Sequence, residues 1–264
     1  MSIDKSGFLS PDVANWIQKH RAENDWWFLF VEKLNSVGQS LLHGLNVKIE
    51  ADGADSDLLA MLLFTRALSN FQGTVLMAER GMVVEARTLA RSCLETTFCL
   101  VAMIQGKTEF ADEFRRASLQ SRRGRAQFIL KEPDRLAFTD IESVDSLRKY
   151  AEQLEKHPEK LSGLKFEQIA EKIGLDDMYL FYRQLSADAA HPSIEALSRY
   201  VRDDGQMAWG PNCETTEISD TLNLASHFLI CACAAVTENR KNDEAAKKLA
   251  QLFSEYKKMN GLTD

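Results

Sequence analysis

Two stretches hold side chains that could do chemistry. In YRQLSADAAHPS, residues 182–193, Tyr182, Arg183, Ser186, Asp188 and His191 crowd one turn-rich segment that stops at Pro192. A residue before proline is driven away from helical geometry, so His191 is expected to end a helix. Its ring then faces the negative end of the helix dipole, with Asp188 three residues back, and both favour the imidazolium. Such a histidine could transfer protons, and the neighbouring Arg183 could hold a phosphate, with Ser186 and Tyr182 as hydroxyl ligands. Without chemistry, the same residues make a helix–proline–helix corner in which Ser193 caps the next helix.

The second stretch is ARTLARSCLETTFCLVAMI. Arg87, Arg91 and Glu95 recur every four residues and so share one helix face. Glu95 stands just before a strongly apolar run, where an unpaired charge would cost several kcal/mol, and Arg91 one turn away is the expected partner. Two readings stay open. One is an internal ion pair that sets how this helix packs. The other is a polar pocket in which Glu95 acts as base and Arg87 and Arg91 anchor a ligand.

Other chemistries are poorly served. The sequence has no G-x-S-x-G elbow, H-E-x-x-H, phosphate-binding glycine loop or dinucleotide fingerprint. Cys93, Cys99, Cys213, Cys231 and Cys233 are odd in number, lie mostly in apolar stretches and lack histidines at zinc spacing. They read as reduced core thiols, which implies a reducing compartment. No metal or cofactor is expected. His20 and His43 read as surface or rim residues, His157 as solvated and His227 as a core histidine. The net charge of −7 argues against non-specific nucleic-acid binding by the whole molecule. Arg115, Arg116, Arg122, Arg123 and Arg125 nevertheless form a local basic helix. It is either a solvated face paired with the acidic 140–160 region or a phosphate-tracking surface.

These residues need rigid carriers. Only 5 prolines and 13 glycines interrupt 264 residues, which favours long helices. The periodicity predicts a helix or helix pair from Ser10 to about Gly44, and helices over 56–80, 83–105, 108–130 and 141–157. Shorter helices are expected near 166–173, 176–190 and after Pro192, with long ones at the C-terminal end. The central members are 56–80, 83–105, 176–190 and 215–238. The fold class is all-α, an antiparallel helical bundle, with one small β-hairpin near 199–210 around Asp204-Gly205. One helical domain spans 1–264, with an N-terminal helical extension over 1–50 and a polar insertion over 132–164. The aromatic run WWFLF in the extension packs into the core or forms a homodimer face. No apolar run approaches ~18 residues and the N-terminus lacks a signal core, so the expectation is a cytoplasmic protein that does not engage a membrane.

The pairing of ARTLARSCLETTF with the distant YRQLSADAAHPS resembles a group of uncharacterised bacterial all-helical proteins. In these an R-x-x-x-E helix precedes a serine–histidine–proline corner, and the likeness covers roughly residues 55–240. More distantly the chain resembles HEPN domains, helical bundles of toxin and phage-defence RNases that join an arginine and a histidine across a dimer. That resemblance carries over only Arg183 and His191. Here seven residues separate them and Pro192 breaks the helix, a departure from the family's four to six. The expected function is a polar Arg/Glu/His pocket for a phosphate-bearing ligand, RNA included. The alternative is a non-catalytic interaction or regulatory protein.

Overall fold

The computed structural model describes residues 6–44, 55–132, 141–156, 160–190, 192–201, 204–207 and 215–262. Among them the chain is all-α, with no strand. In chain order the helices are α1 (Val13–Glu23), α2 (Asp25–His43), α3 (Ser56–Ala78), α4 (Val83–Lys131), α5 (Ile141–Glu155), α6 (Phe166–Lys172), α7 (Asp176–Leu185), α8 (Ile194–Ser198), α9 (Thr215–Arg240) and α10 (Asp243–Met259). Caps fix several starts. The Asp55 carboxylate accepts the Asp57 N–H at 2.8 Å before α3, and the Asn242 side chain accepts the Ala245 N–H at 3.0 Å before α10.

The core lies where α3, the first arm of α4 and α9 meet, with α2 packed on α3 and α9. Phe30 and Leu34 of α2, Phe64 and Leu68 of α3, Leu94 and Phe98 of α4, and Phe228 of α9 are all fully buried. Each contributes about 1.5–3 kcal/mol by leaving water. In the aromatic run, Trp27, Phe28 and Phe30 enter the core, while Trp26 stays 57% exposed and does not share the buried face of Phe30.

α4 is one element with a sharp break. Lys107 takes φ 43° and ψ −121°, one residue after Gly106. The break expected between helices over 83–105 and 108–130 is therefore a kink at Gly106–Lys107, and the second arm carries α5 on its flank, with Ala126, Ala151 and Leu154 buried. Residues 133–140 and 157–159 of the polar insertion lie outside the described residues. A single antiparallel bridge, Val201 to Met207, brackets the turn in which Gly205 has φ +77°.

One expectation needs correction. His20 is not a rim residue but 5% exposed, packed beneath the turn at Gly81. Gly81 has φ +74°, and a Cβ there would stand 2.8 Å from His20 Nε2, so the α3–α4 turn admits only glycine without rearrangement. By length and composition, residues 216–240 within α9 are long and apolar enough to cross a membrane, the most apolar 18 residues having a mean hydropathy of 1.3. Glu217, Asp220 and His227 interrupt the helix, so no uninterrupted apolar run in it approaches ~18 residues. Ile218, Leu222, Ala225, Phe228, Leu229 and Val236 of this helix are core residues packed among α2, α3 and α4.

Among the described cysteines, Cys93, Cys99 and Cys233 are buried thiols and Cys231 is half-buried, with no disulfide. Burial pushes Cys93 and Cys99 up to about 12 and Cys231 up to about 11, so they are poor nucleophiles. Cys213 lies outside the described residues.

Candidate functional site

The two stretches meet. α7 and the turn after it pack across the first arm of α4, which presents Arg87, Arg91 and Glu95 along one face. α7 does not end cleanly: Ser186–Ala190 continue it as one π turn. Ser186 takes part through its own backbone neighbours, its Oγ donating to the Tyr182 carbonyl at 2.7 Å. The wider π turn leaves a carbonyl and a carboxylate facing α4. Thr88 Oγ1 hydrogen-bonds the Ala189 carbonyl at 3.3 Å. Asp188 reaches Arg87 Nη1.

Asp188 is one corner of a closed ring of alternating charge. Its Oδ1 accepts from Arg199 Nη2 at 2.7 Å and Nε at 2.9 Å. Arg199 Nη1 pairs with Glu217 Oε1, and Glu217 Oε1 lies 3.7 Å from Arg87 Nη1. Arg87 Nε also donates to Thr221 Oγ1 at 3.2 Å. Four elements are tied at this point: α4, the π turn, the residue after α8, and α9. The four side chains are 13–20% exposed, so solvent screens them only partly. Burial opposes the charge on Arg199, but hydrogen bonds to Glu217 and Asp188 outweigh it and raise its pKa. Two guanidiniums and two carboxylates sum to zero, and every acid has two basic partners.

Beside the ring, one turn along α4, stands a smaller group with more chemical freedom. Arg91 Nη2 lies 2.8 Å from Glu95 Oε1 and 3.2 Å from the Tyr182 hydroxyl. The guanidinium also sits 5.0 Å over the Tyr182 ring, a cation–π contact. Tyr182 is in turn held by Tyr179, stacked at 5.3 Å, and by Phe166 at 5.5 Å. Arg91 Nε is buried and has no hydrogen-bond partner among the described residues. Burial raises the Glu95 pKa, and the opposing pull of Arg91 and of the Tyr182 hydroxyl does not cancel it. Glu95 is thus a carboxylate displaced toward proton-carrying, next to an incompletely satisfied cation.

Of the residues singled out from sequence, the structure brings together Arg87, Arg91, Glu95, Tyr182 and Ser186. Arg183 does not join them. It is exposed on α7 and forms no ion pair or hydrogen bond among the described residues. His191 lies outside the described residues. Missed altogether as site members were Thr88, Arg199, Glu217 and Thr221, and Asp188 was seen only as a neighbour of His191. Arg199 and Glu217 come from separate elements and share no spacing with the rest. One signal was available: Arg87, an arginine one turn before the expected Arg91–Glu95 pair, has no acid three or four residues away on its own helix and so needs one from elsewhere.

The site lies largely within the span of a known family model, that of a family of unknown function, DUF5677, which matches residues 57–208. The chain belongs to the DUF5677 family. The match runs from α3 through the Val201–Met207 turn, so it includes Arg87, Arg91, Glu95, Tyr182, Asp188 and Arg199 and leaves Glu217 and Thr221 beyond its end. No curated protein and no solved structure matches the chain. In DUF5677 terms, the polar contact between α4 and α7 is internal to the family region, whereas the ring is closed from outside it by α9.

Proposed function

We propose that this DUF5677 protein binds a phosphate-bearing ligand, with RNA the leading candidate, at the Arg91–Glu95–Tyr182 group. The observation that carries the reading is the buried Arg91 Nε, a guanidinium donor with no hydrogen-bond partner among the described residues, beside a carboxylate whose proton affinity is raised. A phosphate oxygen would satisfy that donor. Glu95 in its protonated form would remove the competing negative charge. On sequence grounds His191 supplies proton transfer, by an HEPN-like route in which a ribose 2′-hydroxyl loses its proton, attacks phosphorus and expels the 5′-oxygen, which is reprotonated. Arg183, exposed on the same helix, is the second phosphate contact in this reading. The scaffold is taken to be an antiparallel bundle with a small hairpin over 199–210, working in the cytoplasm as a homodimer through the N-terminal aromatic helix, where Trp26 and Leu29 are exposed.

The test is binding and cleavage of a fluorescently labelled single-stranded RNA by the full chain. Arg91→Ala should weaken binding at least tenfold, and His191→Ala should abolish cleavage while the melting temperature holds. If the wild-type protein neither binds nor cleaves RNA, this reading is wrong.

A second reading rests on a different observation. The Arg87–Asp188–Arg199–Glu217 ring has no charge to spare and pins four elements together, as an internal tie would. It fits a non-catalytic interaction or regulatory protein, in which His191→Ala lowers stability and no activity exists to lose.

A further inference from the structure

Away from this site, α9 and α10 pack with a gap between them. The groove has a volume of about 620 Å³, within the range of small-molecule sites. Its walls are Ile230 and Ala234 of α9 and Ala246, Leu249, Ala250 and Phe253 of α10. Ala234, Ala246 and Ala250 are exposed, so the space exists because small side chains stand where two helices could have interlocked.

Two polar groups face this apolar channel without partners. Thr237 is 6% exposed, and its hydroxyl makes no hydrogen bond among the described residues. That is unusual within this chain. Thr65, Thr74, Thr88, Thr96, Thr97 and Thr221 all donate to the carbonyl four residues back. His227, at the other end, is half-buried among Phe181, Phe228 and Tyr256 and forms no hydrogen bond among the described residues. Burial keeps its ring neutral, a donor and an acceptor rather than a cation.

The spacing of these groups selects the ligand. Ten helical residues separate them, about 15 Å along α9 at 1.5 Å per residue. A compact ring could meet one but not both. An extended chain lying between α9 and α10 could satisfy His227 at one end, reach Thr237 at the other and bury its methylenes against Ile230, Leu249 and Phe253. Glu238 and Asp243 outnumber Lys241 at the turn, which disfavours an anionic head. We propose that the α9–α10 groove binds a single-chain aliphatic molecule with an uncharged hydrogen-bonding group at each end, the chemistry of a medium-chain α,ω-diol. This site is independent of the Arg91 group.

The test titrates 1,10-decanediol into the full-length protein, read by displacement of 1-anilinonaphthalene-8-sulfonate and by thermal shift. One-to-one saturable binding is expected. Ala234→Phe, at an exposed position that fills the channel, should abolish it. Thr237→Val, which keeps the shape and removes the hydroxyl, should weaken it about fivefold, as should His227→Phe. Decanoate, 1-decanol and cyclooctanol should each bind less well than 1,10-decanediol. The proposal is overturned if 1,10-decanediol does not saturate, if Ala234→Phe binds it unchanged, or if 1-decanol or decanoate binds as tightly. It is equally overturned if sedimentation shows a dimer that Ala234→Phe dissociates, for then the groove is covered by a second copy of the chain.

Discussion

Replacing Asp188 by alanine tests the charge ring where it is most exposed to failure. The substitution removes one carboxylate and strands two guanidiniums, Arg87 and Arg199, each of which keeps only Glu217 as an ionic partner. Exposed ion pairs contribute about 0.2–1 kcal/mol. Breaking a buried pair costs about 3–5 kcal/mol, because the surviving charge stays desolvated. With side chains 13–20% exposed, Asp188 falls between these limits, and a loss of about 2–3 kcal/mol is expected. At about 2–4 °C per kcal/mol for a chain of this size, the melting temperature should fall by roughly 5–10 °C. Urea and thermal unfolding measure it, with Asp188→Asn as the control that keeps the shape and one acceptor while removing the charge. A cycle with Arg199→Met isolates the coupling, expected at about 1–2 kcal/mol because removing both partners leaves fewer orphaned charges than removing one. A cost below about 0.5 kcal/mol, or strict additivity of the two changes, would show that water already satisfies these groups and that the ring ties nothing.

His20 makes stability depend on pH. Burial lowers its pKa, and neither ring nitrogen has a hydrogen-bond partner. The unfolded chain therefore takes up a proton that the native state resists, so stability should decline as pH falls through the ordinary imidazole range. Urea unfolding at several pH values should show His20→Leu removing that part of the slope. Gly81→Ala forces a side chain into a positive-φ turn and against His20 Nε2, and should cost about 1–3 kcal/mol in chemical denaturation. Tyr182→Phe deletes the hydroxyl that bonds Arg91 and Glu95. The Glu95 pKa should then rise further, as carboxyl-carbon NMR titration would show, at a stability loss of about 1 kcal/mol.

Much of the scaffold was legible because helices are local. The 3.6-residue spacing of apolar side chains, Gly81, Gly106 and the cap residues marked most elements within a few residues. So was the Arg87–Arg91–Glu95 stripe, since four-residue spacing alone places those groups on one face. His20 was misread because its burial comes from the α3–α4 turn, more than fifty residues away, which no local pattern reports. The length of α9 was visible, but its polar interruptions hid how apolar it is on average.

What the amino-acid order determined by itself was the all-α class, the helix boundaries and the Arg91–Glu95 pair, each set by contacts within about one helical turn. Tertiary structure alone decided that Tyr182 covers Arg91, that Arg183 faces outward, and that Asp188, Arg199 and Glu217 close on Arg87. Those outcomes depend on the rotation that the π turn imposes after Leu185 and on which face α7 and α9 present to α4. Burial and the pairing of distant charges settle that choice together, and neither has a period that sequence can display.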